Sequence, residues 1–278
     1  MKAAAFAYER PSDLNAALFL MAKATGMTKI IAGGQSLGPM LNLRLVEPEL
    51  IVDITGLSEL KQAERSGDEL VIGACITHGD IEDGRMPDVT RGAMQRVAGA
   101  IAYRAVRNRG TIGGSLSHAD PAADWVSALP ALGARVMLRC VAGVRDLAVE
   151  EFVTGALESA LQPGEIVEAV RVPVMTPSAR WGYVKACRKP GEFAHAIAAV
   201  VIDPESATAR AVVGALNAAP IVLGDAAALF GGRVTGDFKR QFDARVVDAI
   251  LIKAGIASPA DRHVHVTVLR RAINEASA

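Results

Sequence analysis

From Leu14 onward the chain places apolar residues at Leu14, Ala17, Leu18 and Met21, and Gly26 closes the run. That three-and-four spacing lays a stripe along one face of a helix, with Ser12 after Pro11 as its expected N-cap. The Met21 and Phe19 region is read as core. Residues 28–32 then read as a strand that enters a glycine-rich stretch, where Pro39 can open a short helical turn. Residues 50–55 (LIVDIT) read as a buried strand, and 61–65 with 69–74 make a hairpin across Ser66-Gly67-Asp68. Helical spacing returns over 77–83 and 89–102. A second glycine cluster leads into another helix, with Asp120 as cap, Pro121 in the first turn, and Trp125, Ala128, Leu129 and Leu132 on one face. Strands are predicted over 135–140, 166–172, 180–186, 196–202 and 207–216, and helices over 237–254 and 266–276. Strands and helices do not alternate regularly enough for a doubly wound sheet, so the pattern predicts an α+β fold. Pro173 and Pro177 mark a seam between an N-terminal and a C-terminal domain.

Composition narrows the classes. At 278 residues, 51% hydrophobic and 22% charged, the chain holds one large or two ordinary domains and buries a substantial core. Thirty basic residues balance thirty acidic ones, which argues against nucleic acid or a membrane surface held by bulk charge. Aromatics at 4% leave little for a base-stacking platform. Cys75, Cys140 and Cys187 lie far apart without a C-x-x-C, so neither a zinc ribbon nor an iron–sulfur cluster is encoded, and the sparse count fits a reducing, cytoplasmic setting. LNAALFLMAKA (14–24) has the look of a short signal core, yet Glu9, Arg10 and Pro11 precede it and it is too short to span a bilayer. It is read as a soluble helix, and no transmembrane segment is expected.

The chemistry gathers at two glycine clusters. KIIAGGQSLGPM (29–40) bares the backbone as an anion cradle does, because glycine lets main-chain N–H groups close around phosphate. It matches neither standard phosphate motif: Pro39 follows Gly38 where a P-loop has Lys, and Gln35 takes the place of a dinucleotide-fingerprint glycine. A tight turn after a strand is the plainer alternative. GTIGGS (110–115) has the same style, and two such loops with Ser and Thr donors can meet on one pyrophosphate. Asp124, in the next helix's first turn, can accept from sugar hydroxyls, and together these features point to a dinucleotide such as FAD. Other features read more simply. His118, Asp120 and Asp124 could form a metal cluster, but Asp120 is better used as a cap. His263 and His265 point apart on a helix and have no third ligand. Arg104, Arg107 and Arg109 beside Tyr103 read as surface charges and partners of a helix dipole.

AGGQSLGPMLNLRL (32–45) and RNRGTIGGSLSHADPAAD (107–124) resemble the two FAD loops of the molybdenum-hydroxylase flavoproteins. These are the medium subunits of enzymes of the carbon monoxide dehydrogenase and xanthine dehydrogenase type. YVKACRKPGEFAHAIAAV (183–200) resembles the family's Y-x-K…R…DFA-x-A segment, and the likeness covers essentially the whole chain. It implies a two-lobed FAD-binding domain of the vanillyl-alcohol-oxidase/PCMH type over 1–175 (lobes roughly 1–55 and 56–175), followed by a smaller α+β domain over 176–278. It also implies that Ala32, Gly33, Gly34, Gln35 and Ser36 wrap the pyrophosphate from one side, and Thr111, Gly113, Gly114 and Ser115 from the other. Ile101 and Phe193 would lie near the flavin ring, Val167 would line the cofactor, Asp124 would hold sugar hydroxyls and Lys185 would sit near the flavin. Lys185 also has a plainer reading as a strand-edge lysine. Some relatives carry His at the position of Gln35 and Asn at that of Ser115, and Glu192 replaces the usual Asp.

By the same resemblance the chain is a subunit with no catalytic residue for hydroxylation and no metal of its own. One partner carries the molybdenum cofactor and another two [2Fe–2S] clusters, in a dimer of heterotrimers; the flavin subunit passes electrons from the clusters to an outside acceptor. No His or Cys lies within either glycine loop, so the FAD is expected to be non-covalent. Two other readings stand beside this one. A stand-alone FAD-dependent oxidase would need an acid–base pair in the C-terminal half, where none is recognised. A non-catalytic interaction protein would use the glycine loops as scaffolding.

Overall fold

The computed structural model describes residues 2–232, 234 and 241–277. Strands β1 (Ala7–Glu9), β2 (Thr28–Ile31) and β3 (Leu50–Asp53) form a parallel sheet in the order β1-β3-β2. Helix α1 (Leu14–Lys23) buries Leu14, Ala17 and Leu18 in a cluster with Val52, Ile54, Leu57 and Leu60. Its cap is Asp13 rather than Ser12: the Asp13 carboxylate accepts from the Ala16 amide at 2.8 Å, and the Ser12 hydroxyl donates to that same carboxylate. A carboxylate is the stronger acceptor, so it takes the amide. Phe19, expected in the core, is 53% exposed beneath the Lys23 ammonium. Pro39 lies inside the short helix α2 (Leu37–Asn42).

A second, antiparallel sheet has the order β4-β5-β10-β6-β7, from β4 (Ala63–Ser66), β5 (Glu69–Gly73), β6 (Arg135–Cys140), β7 (Gly143–Ala148) and β10 (Ile166–Pro173). A small ribbon of β8 (Val153–Gly155) and β9 (Glu158–Ser159) follows α8 (Val149–Phe152). Helices α3 (His78–Glu82), α4 (Ala93–Ala100), α5 (Arg104–Arg107), α6 (Ile112–His118) and α7 (Asp124–Ala131) connect β5 to β6. The α7 start expected at Asp120-Pro121 moves to Asp124, because the Asp120 carboxylate accepts from the Ala122 amide at 2.8 Å and makes a turn there.

The third sheet is an antiparallel meander, β11 (Arg180–Ala186), β12 (Ala196–Asp203), β13 (Thr208–Gly214) and β14 (Ile221–Leu223). Helix α10 (Pro259–Ala276) covers β11 and β12 and builds an apolar core with α9 (Ala244–Lys253). Of the helix expected over 237–254, residues 237–240 lie outside the described residues, and Asp243 caps the helix that begins at Ala244. Every residue of α7 is buried, and this helix packs against β12 and β13 as well as into the core of the second sheet.

Candidate functional site

At the C-terminal edge of the parallel sheet, β2 runs out into the first glycine loop. A Cβ placed on Gly33 would lie 2.1 Å from the Arg109 carbonyl oxygen and 2.7 Å from Gly110 Cα. The two glycine clusters therefore touch backbone to backbone, and glycine is what permits it. Gly34, at φ +70°, turns the chain through the left-handed region. Gly38 then donates to the Gly34 carbonyl at 2.9 Å as α2 begins, and Gln35 Nε2 folds back on the Gly33 carbonyl at 3.0 Å. Among the described residues, the amides of Gly33, Gly34, Gln35 and Ser36 find no protein acceptor.

The second cluster is spent differently. Thr111 caps α6, its Oγ1 accepting from the Gly114 amide at 3.1 Å. The amides of Ile112, Gly113 and Ser115 donate to the carbonyls of Ile76, Ala74 and Thr111 at 3.1, 3.0 and 3.0 Å. Gly113 is buried against Ala74, where a Cβ would come within 2.5 Å of the Ala74 Cβ. A Cβ on Gly114 would face Ala32 at 3.9 Å. Among the described residues, the second loop thus keeps free the Thr111 amide, the proton of the Thr111 hydroxyl and the Ser115 hydroxyl. The two loops, expected to meet one pyrophosphate from opposite sides, differ: one side is amide-rich and the other bears hydroxyls. Together they fit an anionic group such as a pyrophosphate, whose oxygens would satisfy amides that the protein leaves open.

Beyond α6, a buried polar cluster joins elements far apart in sequence. Asp124 Oδ1 accepts from the Tyr183 hydroxyl at 2.6 Å and from Lys185 Nζ at 2.9 Å, and Lys185 donates also to the Ala100 carbonyl at 2.7 Å. The Lys185 and Asp124 side chains are 10% and 7% exposed. Although β11 is an edge strand, Lys185 is an interior ion-pair partner and not a surface edge lysine. Burial, then the Asp124 charge, pushes the Tyr183 hydroxyl well above its usual range, so it remains a donor. Asp124 Oδ2 accepts nothing from the described residues and is available to a ligand hydroxyl. From the sequence Tyr183 stands only as the first residue of the Y-x-K motif, with no role given; its i, i+2 spacing to Lys185, which puts both on one face of a strand, is the signal for one.

Ile101 ends α4, half-buried next to the carbonyl that Lys185 holds. Val167 is buried at a register shift in β10; its neighbour Glu168 accepts from the Ala74 amide at 2.9 Å, and Ala74 lies against Gly113. Phe193 stands 70% exposed between β11 and β12. His78, also unassigned from the sequence, is buried below the second loop, with Nδ1 accepting from Trp125 Nε1 at 3.1 Å. Burial and then the Arg107 charge lower its pKa to about 4, so the ring is neutral. Asp120 and Asp124 are engaged by the Ala122 amide and by Tyr183 and Lys185, and among the described residues no group of three or more His, Cys, Asp or Glu is placed to hold a metal. No helix among them is long and apolar enough to cross a membrane.

Residues 4–175 match the family described as the FAD binding domain in molybdopterin dehydrogenase. A caffeine dehydrogenase subunit beta from a Pseudomonas species is 37% identical over 74% of this chain and 70% of its own length. The carbon monoxide dehydrogenase medium chain of Afipia carboxidovorans is 31% identical over 98% of this chain and 97% of its own. Among solved structures, reconstituted CO dehydrogenase from Oligotropha carboxidovorans superposes with a TM-score of 0.86 at 28% identity, covering 100% of this chain and 99% of that one.

Proposed function

The chain belongs to the family of FAD-binding domains in molybdopterin dehydrogenases, and from that premise we infer that it is the FAD-binding, electron-transferring subunit of a multi-subunit molybdenum hydroxylase. The observation that carries the reading is the backbone contact of Gly33 with Arg109 and Gly110, which brings open amides and free hydroxyls to one place. In this reading Ala32, Gly33, Gly34, Gln35 and Ser36 hold the pyrophosphate chiefly through their amides, with Thr111, Gly113, Gly114 and Ser115 closing the other side. Asp124, oriented by Tyr183 and Lys185, offers Oδ2 to sugar hydroxyls; Ile101, Val167 and Phe193 border the cofactor. Bound non-covalently, FAD supplies a centre that receives electrons from a partner's [2Fe–2S] clusters and hands them to an outside acceptor. An iron–sulfur small subunit and a molybdenum-cofactor large subunit complete the enzyme, as a dimer of heterotrimers, and the large subunit carries the hydroxylation.

The family match ending at residue 175, and the change of sheet between β10 and β11, support a division into an FAD-binding domain over 1–175 and a C-terminal domain over 176–278. The three unpaired cysteines support a cytoplasmic setting. The test is made on the purified chain. It should carry flavin absorbance that is released completely on denaturation, and dithionite should bleach it. An organic substrate of the complete enzyme should bleach it only once the iron–sulfur and molybdenum subunits are added. Rapid turnover of such a substrate with oxygen by the single chain would establish a stand-alone oxidase instead. A chain that takes up no flavin would make the loops scaffolding.

A further inference from the structure

The carbonyls of Ala100, Ile101 and Ala102 each accept from a cationic side chain. Lys185 holds the first at 2.7 Å, and Arg107 Nη1 holds the next two at 2.9 and 3.1 Å. Glu82 grips the rest of the Arg107 guanidinium, with Nε to Oε2 at 2.7 Å and Nη2 to Oε1 at 2.9 Å. This fork-to-fork pairing fixes the plane of the guanidinium. The Arg107 side chain is only 12% exposed, so water competes weakly for these bonds. A simple dipole partner of a helix end, the role expected from the sequence, requires neither the paired acid nor two adjacent carbonyls.

The turn held this way is one that a free chain resists. Ala102 sits at φ +40°, where a Cβ is disfavoured. The turn carries Ile101 and runs directly into Tyr103, whose ring lies over Gly191: a Cβ on Gly191 would come within 2.8 Å of the Tyr103 ring. Gly191, at φ +87°, belongs to the loop that carries Phe193. One brace therefore sets both Ile101 and the Phe193 loop, the two positions assigned to the ring of the cofactor.

We propose that Arg107, backed by Glu82, is a positioning residue for the ring-bearing half of the cofactor, while the glycine loops hold its pyrophosphate. This rests on the FAD-binding reading above. The test titrates the purified full chain with FAD and, separately, with ADP, which has the diphosphate but no ring. It also records the visible circular dichroism of bound flavin. Arg107→Gln should weaken FAD about tenfold, the scale of a lost charge-assisted hydrogen bond, and change the flavin dichroism while leaving ADP affinity within about twofold. Glu82→Gln should shift both flavin readouts in the same direction, and Arg107→Lys should restore part of the dichroism. Arg104→Gln, which removes the exposed partner of Glu82, should alter nothing. Unchanged FAD affinity and dichroism in both Arg107→Gln and Glu82→Gln would overturn the proposal. So would equal losses for FAD and ADP, or an equal effect of Arg104→Gln. If Arg107→Gln does not fold, Glu82→Gln decides alone, because Glu82 lies outside the turn. A wild-type chain that binds no FAD would instead defeat the underlying reading.

Discussion

Gly33 and Gly38 belong to one glycine-rich stretch yet answer to different neighbours. A methyl on Gly33 would meet the Arg109 carbonyl, a backbone group with little room to yield. Gly33→Ala should therefore cost about 1–3 kcal/mol and part the two loops, removing FAD binding. A methyl on Gly38 meets nothing within 4 Å, and the residue is helical. Gly38→Ala should keep FAD affinity and raise stability by up to about 1 kcal/mol; thermal unfolding with flavin titration checks both. His78 gives a pH dependence. Its folded pKa, about 4, lies below the unfolded value of 6.5, so the unfolded state binds more protons between them. The His78 contribution is complete above pH 6.5 and is lost as pH falls towards 4. Unfolding free energy from urea titrations should drop by about 2 kcal/mol between pH 7 and pH 5 through this group. His78→Asn should flatten that decline, and an undiminished decline would place its source elsewhere. The glycines announced themselves in the sequence because bare backbone is visible as composition. Tyr183, His78 and the brace of Arg107 did not, because their partners lie on other elements and only the fold brings them together.

The two glycine loops differ in what they have left to give. Among the described residues, the amides of Gly34, Gln35 and Ser36 have no protein acceptor, whereas those of Gly113, Gly114 and Ser115 are engaged by Ala74 and Thr111. Hydrogen exchange should read that difference. Without FAD the first set should exchange quickly, and added FAD should slow it, while the second set stays protected throughout. Equal gains in both loops would mean that the second one is not held by Ala74 and Thr111 until the cofactor enters. From sequence α6 reads as a loop because Ile-Gly-Gly-Ser has poor helix propensity, and the Thr111 cap with packing on Ala74 overrides it. Where one face is buried and the run is long, as in β6 and α1, periodicity locates the element, and β12 is legible as a continuous apolar run buried on both faces. The strands that escape are short or, like β7, hold no fully buried residue. β1, β9 and β14 span two or three residues, and β7 carries Arg145 and Asp146 on the sheet's edge. The displaced start of α7 came from a choice between two uses of Asp120, cap or turn, that spacing does not decide.

At the scale of the whole molecule, α7 belongs to both halves of the chain. It sits in the core of the second sheet and also packs against β12 and β13 of the third, and Asp124 at its start holds Tyr183 and Lys185. The domain boundary proposed near residue 175 is therefore one of topology and not of stability. A fragment ending at residue 175 would uncover the α7 face that meets β12 and β13 and would strand Asp124 without its buried partners. It should fail to unfold cooperatively and should aggregate on gel filtration, while the full chain shows one transition; a monomeric, cooperatively melting fragment would contradict this. The same helix has a consequence for the protein's making. α7 is complete at Ala131, but β12 begins only at Ala196. At about 5–20 residues per second, a ribosome exposes this helix, every residue of which is buried in the finished protein, for several seconds before its second cover exists. The nascent chain is most vulnerable in that interval, and a holdase that shields α7 until β13 has emerged would raise the yield more than any help given to the finished protein.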